Sequence, residues 1–233
     1  MAWAVRAGGM QLTVYAPEHA PRTKLEAIAA SGAILVACPD YDAAERHAKE
    51  HAAREGALFI SPYNHPDVIA GAGTIGLEIL DEWPDVDVIV VPIGGGGLIS
   101  GIALAIRGAS VNTRVAGVEV EASCPFTRGI EAGRIVEIDV RPTLADGLAG
   151  NLDPDTITFE IVRREVSQIA VVSEAQLREA IAGVVANEQL IAEGAGAVGV
   201  AAVMAGKLDV KGKRVAIVLS GGNIDQGTLS KIV

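Results

Sequence analysis

The chain has 233 residues, half of them apolar and only 3% aromatic, and a formal net charge of -10. That charge argues against a nucleic-acid partner, which needs a basic face, and no apolar run approaches the ~20 residues that span a bilayer. Met1 to Gln11 lacks a basic region followed by a long apolar core, so no signal peptide is expected, and the isolated Cys38 and Cys124 fit buried or idle thiols in a reducing, cytoplasmic compartment rather than a disulfide.

Short β-branched runs alternate with Ala-rich helical runs, the usage of buried parallel strands with helices packed over them. Gln11 to Tyr15 reads as a strand. Ala20 to Ala30 reads as a helix with Leu25, Ile28 and Ala29 on one face. Ala33 to Ala37 is the next strand, Tyr41 to Arg54 a charged helix capped by Asp40, and Ala57 to Ile60 a third strand. The turn-rich stretch from Ser61 to Pro66 marks a boundary between a small α/β lobe, residues 1–60, and a large lobe, residues 61–233. A helix is expected from Pro66 to Asp81. Val86 to Ile93 is a strand apolar enough to be buried on both faces; it ends in Gly94-Gly95-Gly96-Gly97, and a helix follows to about Arg107. Strands at Arg114 to Val120, Ile135 to Val140, Gln168 to Val172 and Arg214 to Leu219, with helices at Glu174 to Asn187 and Glu188 to Ala205, complete the pattern. The expected fold class is α/β: two lobes with open, mostly parallel twisted sheets, helices on both faces, and a ligand where strands end.

The most informative motif is the tetraglycine turn between a buried strand and a helix. Successive residues without side chains let backbone N–H groups turn inward and approach an anion closely. The helix that follows adds its positive end and unpaired N–H groups. A phosphate there gains charge-assisted hydrogen bonds worth ~1.5–3 kcal/mol each. No Gly-Lys-Ser/Thr follows, so the turn is not a nucleotide P-loop. Gly71 to Gly76 and Gly194 to Gly199 also match G-x-G-x-x-G, but neither follows a long strand, and close helix packing explains both. A second strand, Val215 to Leu219, ends in Ser220-Gly221-Gly222-Asn223. A serine there faces either a ligand or its own backbone in a tight turn.

Together the two loops resemble those of the threonine/serine dehydratase and serine racemase group, a family of pyridoxal 5'-phosphate (PLP) enzymes of fold type II. The resemblance covers nearly the whole chain. Pro66-Asp67-Val68-Ile69-Ala70-Gly71-Ala72-Gly73-Thr74 is similar to the family's helix-entry segment, with Ala72 where Gln is usual. Thr143-Leu144-Ala145-Asp146-Gly147-Leu148-Ala149 resembles its A-D-G loop, and Ala192-Glu193-Gly194-Ala195-Gly196 its E-x-x-G helix start. The resemblance implies that the amides of Gly94, Gly95, Gly96, Gly97 and Leu98 bind the cofactor phosphate, that the Ser220 hydroxyl meets the pyridine nitrogen, and that Glu193 lines the pocket. It implies β-elimination on a hydroxy amino acid, giving a 2-oxo acid and ammonia, or alternatively racemisation, in a homodimer.

The family's Schiff-base lysine, in an S-F-K-x-R-G-like stretch ahead of the tetraglycine turn, has no counterpart here. Lys24 and Lys49 are the lysines before that turn, and both read as solvated. The S-G-N-H-x motif is absent too. The resemblance therefore implies that several tens of residues are missing before Met1 and that the chain as given is inactive; a non-catalytic PLP- or phosphate-binding fragment is the rival reading. His47-Ala48-Lys49-Glu50-His51 matches the H-x-x-E-H zinc pattern, but a solvated helix face accounts for it. His19 and His65 read as surface residues. Some dehydratases bind a cation through a Glu at the position of Glu119 and a second acid a few residues on, where this chain has Pro125; Glu119 is then a solvated strand end, and the metal content is left open.

Overall fold

A computed structural model of the chain describes residue 5, residues 7–20 and residues 22–233. The chain divides into two compact units, Met1–Ser61 and Pro62–Val233. In the first, strands β1 (Thr13–Pro17) and β2 (Ile34–Cys38) pair in parallel, with Thr13 opposite Ile34 and Pro17 opposite Cys38. Helices α1 (Arg22–Ala30) and α2 (Tyr41–Glu55) complete it. Asp40 caps α2 as expected, accepting from the Ala43 amide at 2.7 Å, and Gly56 ends it at φ +64. The expected third strand at Ala57–Ile60 does not form. That segment pairs with no strand among the described residues, and Leu58 is 81% exposed, because apolar residues in extended backbone are buried only where a ladder gives them a face.

The second unit is built on a four-stranded, wholly parallel sheet in the order β5 (Gln168–Val172), β4 (Arg114–Val120), β3 (Val88–Pro92), β6 (Val215–Ile217). Every residue of β3 is buried, as its uninterrupted apolar run requires. Alternation sends Val88 and Val90 into one core, with Val118, Val172, Leu177, Ile181 and Val198. Ile89, Val91 and Ile93 enter the other, with Ile99, Ile102, Phe126 and Phe159. Helices α7 (Glu174–Gly183) and α8 (Gly194–Met204) supply the first core; α4 (Gly97–Gly108) and α6 (Thr158–Glu165) supply the second. Helix α3 (Pro66–Glu82) lies on α4, where a Cβ on Gly73 would stand 3.0 Å from the Gly101 carbonyl oxygen and one on Gly76 3.2 Å from that of Ile102. Helix packing thus accounts for the first G-x-G-x-x-G match. It accounts for the second as well, since a Cβ on Gly199 would stand 2.7 Å from Ile217.

Three further expectations are corrected. Ile135–Val140 forms no strand; its backbone is held instead by Asn151, which accepts from the Ile138 amide at 2.8 Å and donates to the Ile138 carbonyl at 3.3 Å. The last long helix begins at Gly194 rather than Glu188, because α7 runs on through a π turn at Val184–Glu188 and Gln189 then takes φ +55, which no helix continues. His65 is not simply a surface residue: its Nδ1 accepts from the Asp67 amide at 3.2 Å and caps α3. Helices α5 (Pro125–Ala132) and α9 (Gln226–Leu229) were not expected from the pattern, nor was α6.

Candidate functional site

All four strands of the large sheet are parallel, so their carboxyl ends lie along one edge. Strands β3 and β6 are neighbours, paired at Val90 and Ile217 and extended by a 2.9 Å bond from the Val218 amide to the Val90 carbonyl. The tetraglycine turn and the Ser220-Gly221-Gly222 turn leave these two strands side by side.

Contacts too tight for a side chain hold the turns to their neighbours. A Cβ on Gly94 would stand 3.2 Å from the Gly147 carbonyl and 3.3 Å from Leu148 Cα, which places the A-D-G loop directly behind it. A Cβ on Gly147 would in turn lie 3.3 Å from Ala195, and one on Gly194 would collide with the Leu144 carbonyl. The loop is fastened by Glu174, which accepts from the Leu144 amide at 3.1 Å and from the Thr143 hydroxyl. On the other side, the Glu193 amide donates to the Gly221 carbonyl at 3.0 Å, its carboxylate lies against Gly221 Cα, and a Cβ on Gly196 would be 2.6 Å from the Gly221 carbonyl. The structure therefore brings Gly94 to Leu98, the A-D-G loop, Glu193 and Ser220 onto one edge.

The tetraglycine turn is half-buried to buried and keeps its amides uncommitted. Gly96 sits at φ +84, a conformation that L side chains rarely adopt. Among the described residues, none of the N–H groups of Gly94 to Leu98 is donated to a protein acceptor. The Ser100 hydroxyl, in the first turn of α4, is fully buried without a hydrogen-bond partner. Ser220 is exposed, and among the described residues its hydroxyl bonds no protein atom, so it is not spent on its own turn.

Three residues that the sequence reading passed over back this turn. The ring of Tyr63 lies on Gly95, and the Tyr63 oxygen accepts from the Asp153 amide at 3.0 Å. Thr158 donates to the Gly95 carbonyl at 2.8 Å. The ring of Phe126 would be 2.5 Å from a Cβ on Gly96. Tyr63 falls in the Ser61–Pro66 stretch that reads as a boundary; an aromatic residue there was the available signal.

Glu119 is not a solvated strand end. It is fully buried, and its carboxylate accepts from the Phe126 amide at 2.8 Å, the Thr127 amide at 2.8 Å and the Thr127 hydroxyl at 2.6 Å. Burial pushes the carboxyl up to about 7, against these bonds and the charge of Arg128, which favour ionisation. No group of three His, Cys, Asp or Glu able to hold a metal occurs among the described residues. His47 Nδ1 instead lies 3.6 Å from Cys38 Sγ, and His51 packs on the Tyr15 ring and meets Arg54. Lys49 is not simply solvated either, pairing with Glu45 at 3.5 Å and lying over the Phe59 ring. Cys38 and Cys124 are free and buried, and no described helix is long and apolar enough to cross a membrane.

The chain is similar to known proteins. The chain is 43% identical over its whole length to an L-threonine ammonia-lyase of Thermotoga maritima, but spans 58% of that relative. It is 39% identical to the catabolic L-threonine dehydratase TdcB of Escherichia coli over 96% of this chain and 69% of that one. Among solved structures, maize serine racemase superposes with a TM-score of 0.88 at 31% identity, over 99% of this chain and 71% of that one. Such neighbours give the chain fold type II architecture. The family model described as pyridoxal-phosphate dependent enzyme matches residues 1–221, and the chain belongs to that family.

Proposed function

We propose that this chain builds the phosphate- and ring-nitrogen-binding part of a PLP-dependent ammonia-lyase acting on threonine or serine, which yields a 2-oxo acid and ammonia. The observation that carries the reading is the convergence of the tetraglycine turn, the A-D-G loop, Glu193 and Ser220 on one sheet edge. The cradle fits a phosphate: five adjacent N–H groups lack a protein acceptor, and Leu148, Tyr63, Phe126 and Thr158 pack so closely behind Gly94 to Gly97 that the turn admits no side chain there. Gly94, Gly95, Gly96, Gly97 and Leu98 would hold that group, and Ser220 would meet the pyridine nitrogen beside Glu193. PLP, when bound, supplies an electron sink that stabilises negative charge at the amino acid's α-carbon. Ser220 is neutral and cannot hold a protonated ring nitrogen as a carboxylate would, a setting that favours prompt loss of a β-hydroxyl over slower side reactions. The large unit is the proposed cofactor lobe, residues 1–60 belong to a small lobe, and the assembly is a cytoplasmic homodimer.

A serine racemase-like isomerase is the second reading, favoured by the match to the maize structure. A chimera decides between them, with this chain replacing the matched 58% of the Thermotoga maritima relative. Release of 2-oxobutyrate and ammonia from L-threonine is expected. Formation of D-serine without 2-oxo acid would favour the racemase, and neither product from a folded, PLP-loaded chimera would refute both.

A further inference from the structure

We infer that Glu119 is a positioning residue of the cofactor cradle: it clamps the start of α5 so that Phe126 backs Gly96, and it does this without a cation. The inference rests on reading Gly94 to Leu98 as the PLP phosphate site.

The start of α5 needs an outside partner. Its cap residue, Cys124, makes no capping bond, and Pro125 follows at the first helical position. The next two amides, of Phe126 and Thr127, are among those a helix leaves unsatisfied. Both point at Glu119, which reaches them from the adjacent strand β4 at 2.8 Å each. The Thr127 hydroxyl adds a third bond at 2.6 Å. A carboxylate charge at this end also meets the positive pole of the helix.

The clamp fixes the side chain between its two bonded amides. Phe126 is fully buried, with its ring centroid 6.2 Å from that of Phe159 in a stacked arrangement. From there its ring tip reaches the space above Gly96, where Thr158 also packs while bonding the Gly95 carbonyl. Gly96 is the left-handed residue that turns the loop into α4. The chain of contact is short: Glu119, the α5 amides, Phe126, Gly96, and then the amides that would meet phosphate.

A cation does not fit at Glu119. A carboxylate offers about four lone-pair directions, and three are taken by α5 donors. The position where a second acid would stand is Pro125. The helix donors do here what an ion would do elsewhere, which is to neutralise and orient the buried carboxylate.

PLP binding to the chain is measured by absorbance and fluorescence titration, with EDTA, Mg²⁺ or Ca²⁺ present, for the parent, Glu119→Gln, Phe126→Leu and the double variant. Parent affinity should be unchanged by chelator or either ion. Each single variant should bind PLP about tenfold more weakly, because the cradle amides lose alignment equivalent to about one charge-assisted bond to phosphate, while still melting cooperatively. The double variant should lose no more than the singles, because both act through one contact. A general loss of stability would lower the melting temperature but leave affinity of the folded protein intact. Parent-like affinity in folded Glu119→Gln, additive losses, or parent binding that Ca²⁺ or Mg²⁺ strengthens would each overturn the inference. If Glu119→Gln does not fold, Phe126→Leu decides by the same criterion. A parent chain that binds no PLP, or binds it without competition from inorganic phosphate, would instead bring down the phosphate-site reading itself.

Discussion

At the scale of single residues, environment assigns roles that residue type does not. Glu119 stands in an alternating Val-Glu-Val-Glu run, where an acid reads as solvent-facing. Its partner amides lie seven and eight residues on, in a helix whose presence the sequence does not announce. A testable consequence is the pH response. The carboxyl is raised from the ordinary 4.5 to about 7. The folded state therefore holds its proton more tightly than the unfolded state, and stability from this group falls as pH climbs from 4.5 through 7, by on the order of 3 kcal/mol in all. Denaturant melts of the parent and Glu119→Gln across that window should show the difference between them changing in that direction. A difference that stays constant with pH would contradict the burial-driven shift. Ser220 gives a second case. In the chimera, Ser220→Ala should weaken PLP by ~0.5–1.5 kcal/mol, one neutral hydrogen bond. Ser220→Asp should instead raise the proportion of transamination products over 2-oxo acid, and an unchanged ratio would mean that Ser220 does not meet the ring nitrogen.

At the scale of elements, glycines are the legible signal where they mark a close approach of two backbones. Gly94, Gly97, Gly194 and Gly196 each meet a neighbouring main chain, and a glycine string after an apolar run declares such a meeting. Strands were legible where both faces are covered, as in β3, because no polar residue interrupts the run. Ala57–Ile60 and Ile135–Val140 carry similar apolar residues yet stay irregular, since a ladder partner is a tertiary fact that periodicity does not contain. Helix α6 is not legible in the sequence because its eight residues include Glu160, Arg163, Arg164 and Glu165, leaving Thr158, Phe159 and Val162 as its buried residues. The α3–α4 seam offers a test. A Cβ on Gly101 would collide with the Ile69 carbonyl and stand 2.7 Å from the Gly73 amide nitrogen, both backbone atoms unable to turn aside. Gly101→Ala should destabilise the large unit by about 1–3 kcal/mol. Gly71→Ala, on the facing helix α3 and with open space around it, should leave stability unchanged or slightly raised. Equal effects of the two in thermal melts would refute the packing account.

At the scale of the whole molecule, the question is what the 233 residues do unaided. The chain has six lysines. None lies between Lys49 and Lys207, the span that contains the tetraglycine turn, the A-D-G loop and Glu193. Lys207 Nζ donates to the Val171 carbonyl at 2.7 Å, and Lys211 and Lys213 precede β6, at the sheet edge opposite the Ser220 turn. Lys49 is engaged with Glu45 and Phe59 in the smaller unit. Phosphate binding needs only the amides of the cradle, whereas turnover needs a lysine at the reacting carbon. The two properties should therefore separate in this chain. With saturating PLP, the purified protein should bind the cofactor reversibly, in competition with inorganic phosphate, yet release no 2-oxo acid from L-threonine or L-serine above the rate of free PLP. Borohydride reduction followed by mass spectrometry of the peptides should leave no lysine stoichiometrically labelled. Robust turnover that survives Lys24→Ala and Lys49→Ala, or full labelling of any one lysine, would show that a residue outside the family's S-F-K-x-R-G context takes over the role, and the separation of binding from catalysis would then be wrong.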